Sequence, residues 1–389
     1  MKRLVLLLLW AALSCSPRPL LLGDQWPERY LPLVEGRRVA LFSNQTGLAG
    51  LSADSPHILD VLLEQGVEVS LLFSPEHGFR GTADAGEHVG SAVDAATGVP
   101  ILSLYGGGTN PRDSSVLSRF DVLVVDIQDV GLRFYTYYIT MLRLLEACAD
   151  GGKPVVILDR PNPNGMYVDG PLLEDGFRSG VGGLPIPIVH GLTLGEMALM
   201  ALGEGWLSGP LQLEVVPCRG YTHSTRYALP VAPSPNLKDM KAIYLYPSTC
   251  YFEGTKVSLG RGTDAPFELY GHPDMQGCTF TFTPRSMEGA KHPPLQDQLC
   301  YGVDLRGLSD EAIIAAGIDF SYVIDAYRRL GCPADFFPDG GRFFRLLTGC
   351  AWIQEMIESG ADAAAIRARW QPDVEAFLRQ RAPYLLYKP

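Results

Sequence analysis

The stretch FSPEHGFRG, Phe73 to Gly81, sets a carboxylate (Glu76), an imidazole (His77) and a guanidinium (Arg80) within five residues. Pro75, Gly78 and Gly81 bracket them, so the three side chains leave a stiff turn. Five other places repeat the theme. They are Ser43-Asn44-Gln45-Thr46-Gly47, Tyr105-Gly106-Gly107-Gly108, Asp126-Ile127-Gln128-Asp129 with Arg133, Tyr135 and Tyr137 behind it, Asp159-Arg160-Pro161-Asn162-Pro163, and His190-Gly191. Loop polarity accounts for one or two such clusters; six point to a shared site. The inventory has no G-x-S-x-G elbow for a serine hydrolase and no H-E-x-x-H for a zinc hydrolase. Gly106 to Gly108 is not a G-x-G-x-x-G dinucleotide loop. Carboxylates, amides, tyrosines and an arginine are what sugars and glycosidic bonds require. One carboxylic acid protonates the leaving oxygen, and a second carboxylate, or the substrate's own acetamido group, handles the anomeric centre.

The elements that must hold these residues are short apolar runs. RRVALFS, VEVSLLFS, VPILSLY, DVLVVDI, KPVVILD and LPIPIVH each precede one cluster. Strands apolar almost throughout are covered on both faces. Helical stretches such as SPHILDVLLEQG and TYYITMLRLLEACADGG separate several of them. The alternation predicts an α/β doubly wound parallel sheet over residues 24–212, whose ligands gather at the carboxyl ends of the strands. TLGEMALMALGEG adds a helix capped by Thr193. From about Leu211 the texture changes. LQLEVVPCRG, AIYLYPSTCYFEG and CTFTFTPRS read as strands of a smaller β-rich unit over 213–389, and the tail from Ser309 returns to helical spacing.

Bulk properties narrow the partners. The 389 residues carry 32 basic and 43 acidic side chains, a net charge of −11, which argues against nucleic acid. Hydrophobic content of 47% with 19% charged residues is that of a globular protein. MKR followed by LVLLLLWAAL reads as a secretory leader over 1–15, too short to span a bilayer, and Cys15 after a small residue suggests a lipid anchor. The chain is therefore expected to be exported, to a periplasm or the surface of a bacterial membrane. Eight cysteines include no C-x-x-C pair, so a structural zinc is not expected, while an oxidising compartment would permit a disulfide among the C-terminal ones.

The stretches FSNQTGL, FSPEHGFRG, TGVPILSLYG, DVLVVDIQDVGLRFYTY, LDRPNPNG, PIPIVHGLTLGEMA, PSPNLKDM, YPSTCYFEGTKVSLGRGTDAPFE and GCTFTFTPRS resemble, in order and spacing, the exo-β-N-acetylmuramidases of glycoside hydrolase family 171. They run from about Asn44 to Arg285. The resemblance implies removal of terminal MurNAc from the non-reducing end of peptidoglycan fragments. It implies a Rossmann-like domain beside a smaller one, the cleft between them, and no nucleotide or metal cofactor. A non-catalytic lipoprotein that binds muropeptides in the same cleft is the alternative.

Within that frame Glu76 is the expected general acid, on a turn that fixes its direction, with His77 orienting it or binding a hydroxyl. Asp126, at the end of VLVVD, is the candidate second carboxylate, with Gln128 on the same side; Asp129 alternates away. Glu253, in YFEGT, is its rival, because a cleft enzyme needs a contribution from the second domain. Glu87 is a further loop carboxylate. Arg80 and Arg261 compete to grip the lactyl carboxylate that distinguishes MurNAc from GlcNAc. Asn44, Tyr135, Tyr137, Arg160, Asn162 and His190 are placed around the substrate.

Overall fold

The computed structural model describes residues 19–76, 78–80, 92–105 and 109–388. Its larger sheet comprises β1 (Val39–Phe42), β2 (Val69–Ser74), β3 (Ala92–Val93), β4 (Pro100–Ser103), β5 (Val122–Val125), β6 (Val155–Leu158) and β7 (Leu213–Val216), in the order β3-β4-β2-β1-β5-β6-β7. All pairings are parallel except the short edge strand β3. Without β3 the order is that of a Rossmann sheet, which reverses direction between β1 and β5.

Alternation along β1 shows why the strand is apolar throughout. Val39 and Leu41 enter one core with Ile58, Leu59 and Leu62; Ala40 and Phe42 enter the other with Tyr138, Met141 and Leu145. Those partners belong to helices that follow α1 (Pro27–Val34): α2 (Ile58–Glu64) on one face and, after the short α3 (Ser114–Leu117), α4 (Tyr137–Gly151) on the other. Phe42 is level with Phe73 and with Val125, and Ser74 with Ser103, so the carboxyl ends of β1, β2, β4 and β5 form one edge. α5 (Leu194–Gly203) opens with a capping box in which Thr193 and Glu196 each bind the other's backbone N–H.

The second unit begins with α6 (Met240–Thr249) and a short 3-10 helix, Cys250–Gly254. A three-stranded antiparallel sheet follows, β8 (Leu269–His272), β9 (Phe280–Phe282) and β10 (Cys300–Asp304), with β10 in the middle. The tail forms α7 (Asp310–Ala316), α8 (Ser321–Arg329), α9 (Arg342–Thr348), α10 (Trp352–Glu358) and α11 (Ala363–Arg381). It packs back on the first unit. Trp370 Nε1 donates to Asp169 Oδ1 at 2.8 Å, and Tyr387 OH donates to Asp159 Oδ2 at 2.6 Å. One apolar core therefore runs from Phe42 to Phe320 and Trp370.

Three segments differ from the sequence reading. LPIPIVH is not a strand; it makes isolated bridges at Val189, because Pro185 and Pro187 have no N–H to give a ladder. The sixth parallel strand is β7, expected in the smaller sheet. It lies at the sheet edge and is half-exposed, so its pattern imitates an antiparallel strand. The larger sheet thus extends past residue 212. AIYLYPSTCYFEG is helical. Its residues 242–249 are buried all round, which removes the 3.6-residue period, and Asp239 caps the start by accepting from Ala242 N. The seven cysteines from Cys148 to Cys350 are free thiols. The leader and Cys15 lie outside the described residues.

Candidate active site

At the aligned strand ends, and between the two units, lies a cleft of about 350 Å³. Glu76, two residues past β2, lines it from the first unit. Thr136, immediately before α4, donates its hydroxyl to Glu76 Oε2 at 2.8 Å. The phenol of Tyr105, two residues past β4, also hydrogen-bonds Glu76. Burial first, and then that carboxylate, push the phenol above its ordinary range. Two hydroxyls thus fix the direction of Glu76.

Glu253 lines the cleft from the second unit, on the 3-10 turn after α6. Gly254 lets this turn sit against α9: a Cβ there would overlap the backbone of Phe344. Arg261 binds Glu253 Oε1 through Nε at 3.0 Å and Nη2 at 2.5 Å. Its guanidinium carbon lies 5.1 Å from the centroid of Phe267. Burial opposes the charge of Arg261, but the Glu253 carboxylate more than offsets this and leaves its pKa raised. Phe134 and Tyr246 supply aromatic wall.

Tyr135 and Tyr137 also line the cleft, with their hydroxyls committed elsewhere. Both donate to the carbonyl of Pro233, at 3.0 and 2.8 Å. Gln45 Nε2 donates to Ala232 O and Pro233 O, at 3.1 and 3.2 Å. Asn44 Nδ2 donates to the hydroxyl of Tyr137 at 3.0 Å. These four side chains anchor the segment that brings Ser234 and Asn236 to the cleft.

The remaining expected residues lie elsewhere. Asp126 is fully buried and accepts from Arg160 Nε at 2.5 Å, while Arg160 Nη2 reaches Asp24 at 2.6 Å. Gln128 Nε2 donates to the carbonyls of Asp129 and Pro161. Asn162 closes a turn, accepting from Asn164 N and donating to Leu192 O. His190 is buried, accepts from Leu192 N, and is held neutral, pushed down to about 3 by burial and then by Arg381 and Arg133. Asp129 is buried and raised to about 7, although backbone N–H groups, Gly131 first, oppose the shift. Arg80, itself exposed, pairs with the buried carboxylate of Asp94 at 2.5 Å. His77 and Glu87 lie outside the described residues. So the cleft brings together Glu76, Glu253, Arg261, Tyr135 and Tyr137 from the expected set. Tyr105 stood at an expected strand end but was not singled out. Thr136, between two nominated tyrosines, and Tyr246, in a segment misread as a strand, were missed.

Models of the N-terminal and C-terminal parts of the exo-β-N-acetylmuramidase NamZ match residues 39–241 and 244–387. Over 382 residues the chain is 38% identical to the peptidoglycan β-N-acetylmuramidase NamZ of Bacillus subtilis (strain 168), covering 92% of this chain and 89% of that protein. Crystal structures of two DUF1343 family proteins from Bacteroides fragilis NCTC 9343 share the fold. One has a TM-score of 0.87 at 53% identity, the other 0.81 at 28%, each covering 95% of this chain and 99% of its own. A relative matched along nearly its whole length, with two family models that together span both units, shows that the chain belongs to the NamZ exo-β-N-acetylmuramidase family.

Proposed function

We propose that the protein hydrolyses the terminal non-reducing MurNAc from peptidoglycan fragments, as an exo-β-N-acetylmuramidase. The observation that carries the chemistry is the cleft's two carboxylates, Glu76 from the larger sheet and Glu253 from the second unit. Glu76 is the general acid that protonates the leaving glycosidic oxygen, held on line by Thr136 and Tyr105. As that bond breaks, positive charge develops on the ring, and the Glu253 carboxylate offsets it. Glu253 takes this role rather than Asp126, because Glu253 lines the cleft with Oε2 not bound to Arg261, whereas Asp126 is fully buried and outside the cleft lining. Arg261 reads the lactyl carboxylate. Its Nε and Nη2 hold Glu253, and among the described residues Nη1 has no partner, so the guanidinium can span Glu253 and a second carboxylate. The leader-like start and Cys15 favour export with a lipid anchor, where such a substrate is found; membrane fractionation of wild type and Cys15→Ala tests this.

The test of activity is chromophore release from an aryl β-MurNAc beside the aryl β-GlcNAc. Release from MurNAc alone is expected. Equal release from both would remove the lactyl group as the handle, and release from neither would overturn the reading. Glu76→Gln should lower kcat by about 10²–10⁴-fold with binding retained.

A further inference from the structure

The cleft continues past its own rim. Gly180, Val181 and Phe343 line it, while their chain neighbours Ser179 and Arg342 line a second hollow of about 440 Å³. Three guanidinium groups, Arg178, Arg342 and Arg345, surround this hollow, against one carboxylate, Asp339. In a chain with 43 acidic and 32 basic side chains, that local excess runs against the overall balance. Arg178 is exposed and 3.4 Å from the still more exposed Asp175. Arg345 Nε is held by Gln354 Oε1 at 2.8 Å. The Arg342 side chain is exposed and makes no hydrogen bond or ion pair among the described residues; its backbone N–H is committed to Asp339 O. Beside it Phe343, a large aromatic 41% exposed, stands at the junction of the two hollows.

We propose that the arginine hollow is a second subsite, which takes a carboxylate carried by the glycan one repeat beyond the bond that is cut. This rests on the muramidase reading. Peptidoglycan glycan alternates MurNAc with GlcNAc. With the terminal MurNAc in the cleft, the next sugar is a neutral GlcNAc, whose apolar face suits the exposed ring of Phe343. The sugar after that is again a MurNAc. Its carboxylate is either its own lactyl acid or a free acid of an attached stem peptide. Either matches a guanidinium fork.

The test compares kcat/KM for four substrates. They are the aryl β-MurNAc, the peptide-free MurNAc-GlcNAc-MurNAc-GlcNAc, the same tetrasaccharide with its internal lactyl acid converted to the amide, and the same with a stem tripeptide on the internal MurNAc. Each is measured with wild type and with Arg178→Ala/Arg342→Ala. Wild type should favour the free acid over the amide by about two- to fivefold per ion pair at low salt, and the preference should fade as salt rises. The double variant should lose the preference, and Arg342→Lys should keep part of it. If the peptide supplies the carboxylate, acid and amide turn over alike and the tripeptide form carries the arginine-dependent preference. The same relative preferences in wild type and double variant overturn the proposal. So does a loss of equal size on all four substrates, which would place the arginines in the fold or the catalytic cleft. Wild-type inactivity on the aryl β-MurNAc would overturn the muramidase reading instead, and is recorded first.

Discussion

Asp126 and Arg160 separate chemistry from architecture in one experiment. Arg160 is buried, with Nε 2.5 Å from Asp126 Oδ1, and Nη2 2.6 Å from Asp24 Oδ2 and 3.0 Å from Leu48 O. Two carboxylates around one guanidinium would leave one negative charge in excess if both ionised. Burial raises Asp24 to about 8, and the charge of Asp126 adds to this against the pull of Arg160. With Asp24 protonated, Asp126 carries the charge that pairs with Arg160; Asp126→Asn lets Asp24 ionise in its place, keeps an acceptor for Nε, and should cost about 1 kcal/mol, the margin between a charged and a neutral hydrogen bond. Arg160→Met leaves both carboxylates without their cation and should cost about 3–5 kcal/mol. At roughly 2.1 cal/mol/K per residue, the unfolding entropy of 389 residues is about 0.8 kcal/mol/K. The expected falls in Tm are then about 1 °C and about 4–6 °C. The assay is a thermal melt paired with kcat on the aryl β-MurNAc. Asp126→Asn should keep kcat within about threefold, whereas loss of a catalytic carboxylate would cost about 10²–10⁴-fold. A folded Asp126→Asn with wild-type Tm and kcat down a hundredfold or more would refute the reasoning, and the second carboxylate would be Asp126 after all.

Two further outcomes follow from the same structure. Tyr137→Phe removes a buried hydroxyl that donates to Pro233 O and accepts from Asn44, at a cost of about 1–3 kcal/mol. Because the segment it anchors carries Ser234 and Asn236, kcat/KM on the aryl β-MurNAc should fall about tenfold while the protein still melts cooperatively; unchanged kinetics would sink the anchoring role. Glu268 is raised to about 7 by burial, then by Asp239, against Arg306 and Lys241. Its contribution to stability is therefore full below about 4.5 and is lost as pH rises through about 7. Glu268→Gln should flatten the fall in Tm over that window, and an unchanged slope would remove Glu268 as its source.

Five of the six apolar runs that precede polar clusters are parallel strands, since burial on both faces forces a composition that little else needs. LPIPIVH has the composition without the N–H groups, and β7 has the N–H groups at an edge where half its side chains are polar. The polar clusters were legible as clusters, because a turn at a strand end has few other reasons to collect glycine, proline and charge. Which of their members face the cleft was not. Arg160 meets Asp24 across 136 residues of sequence, and Tyr137 meets Pro233 across 96. No local spacing encodes such partners. A buried ion pair and a pair of carboxylates that line a cleft draw on the same residue types. Glu76 is nominated because its turn is stiff, and Glu253 because a cleft needs a second wall; both line the cleft. Thr136 passed unnoticed because a threonine before a helix has an ordinary capping role.

In doubly wound sheets the ligand crevice opens where strand order reverses, here between β1 and β5. This protein fills that crevice with itself. Thr46, after β1, donates to Asn44 Oδ1 and accepts from Gln128 N, after β5. Asn44 goes on to Tyr137, and Tyr137 with Gln45 and Tyr135 seats the carbonyls of Ala232 and Pro233. Those carbonyls belong to the chain just before α6, which leads to Glu253. The position a Rossmann sheet ordinarily gives to its ligand is thus occupied by the root of the second unit. The cleft moves sideways to the ends of β2 and β4, where Glu76 and Tyr105 emerge. If the reaction uses both carboxylates, as proposed, it tolerates little error in their separation. The second unit is anchored where the carboxyl ends of two central strands meet, and that anchor leads through α6 to Glu253, across the cleft from Glu76.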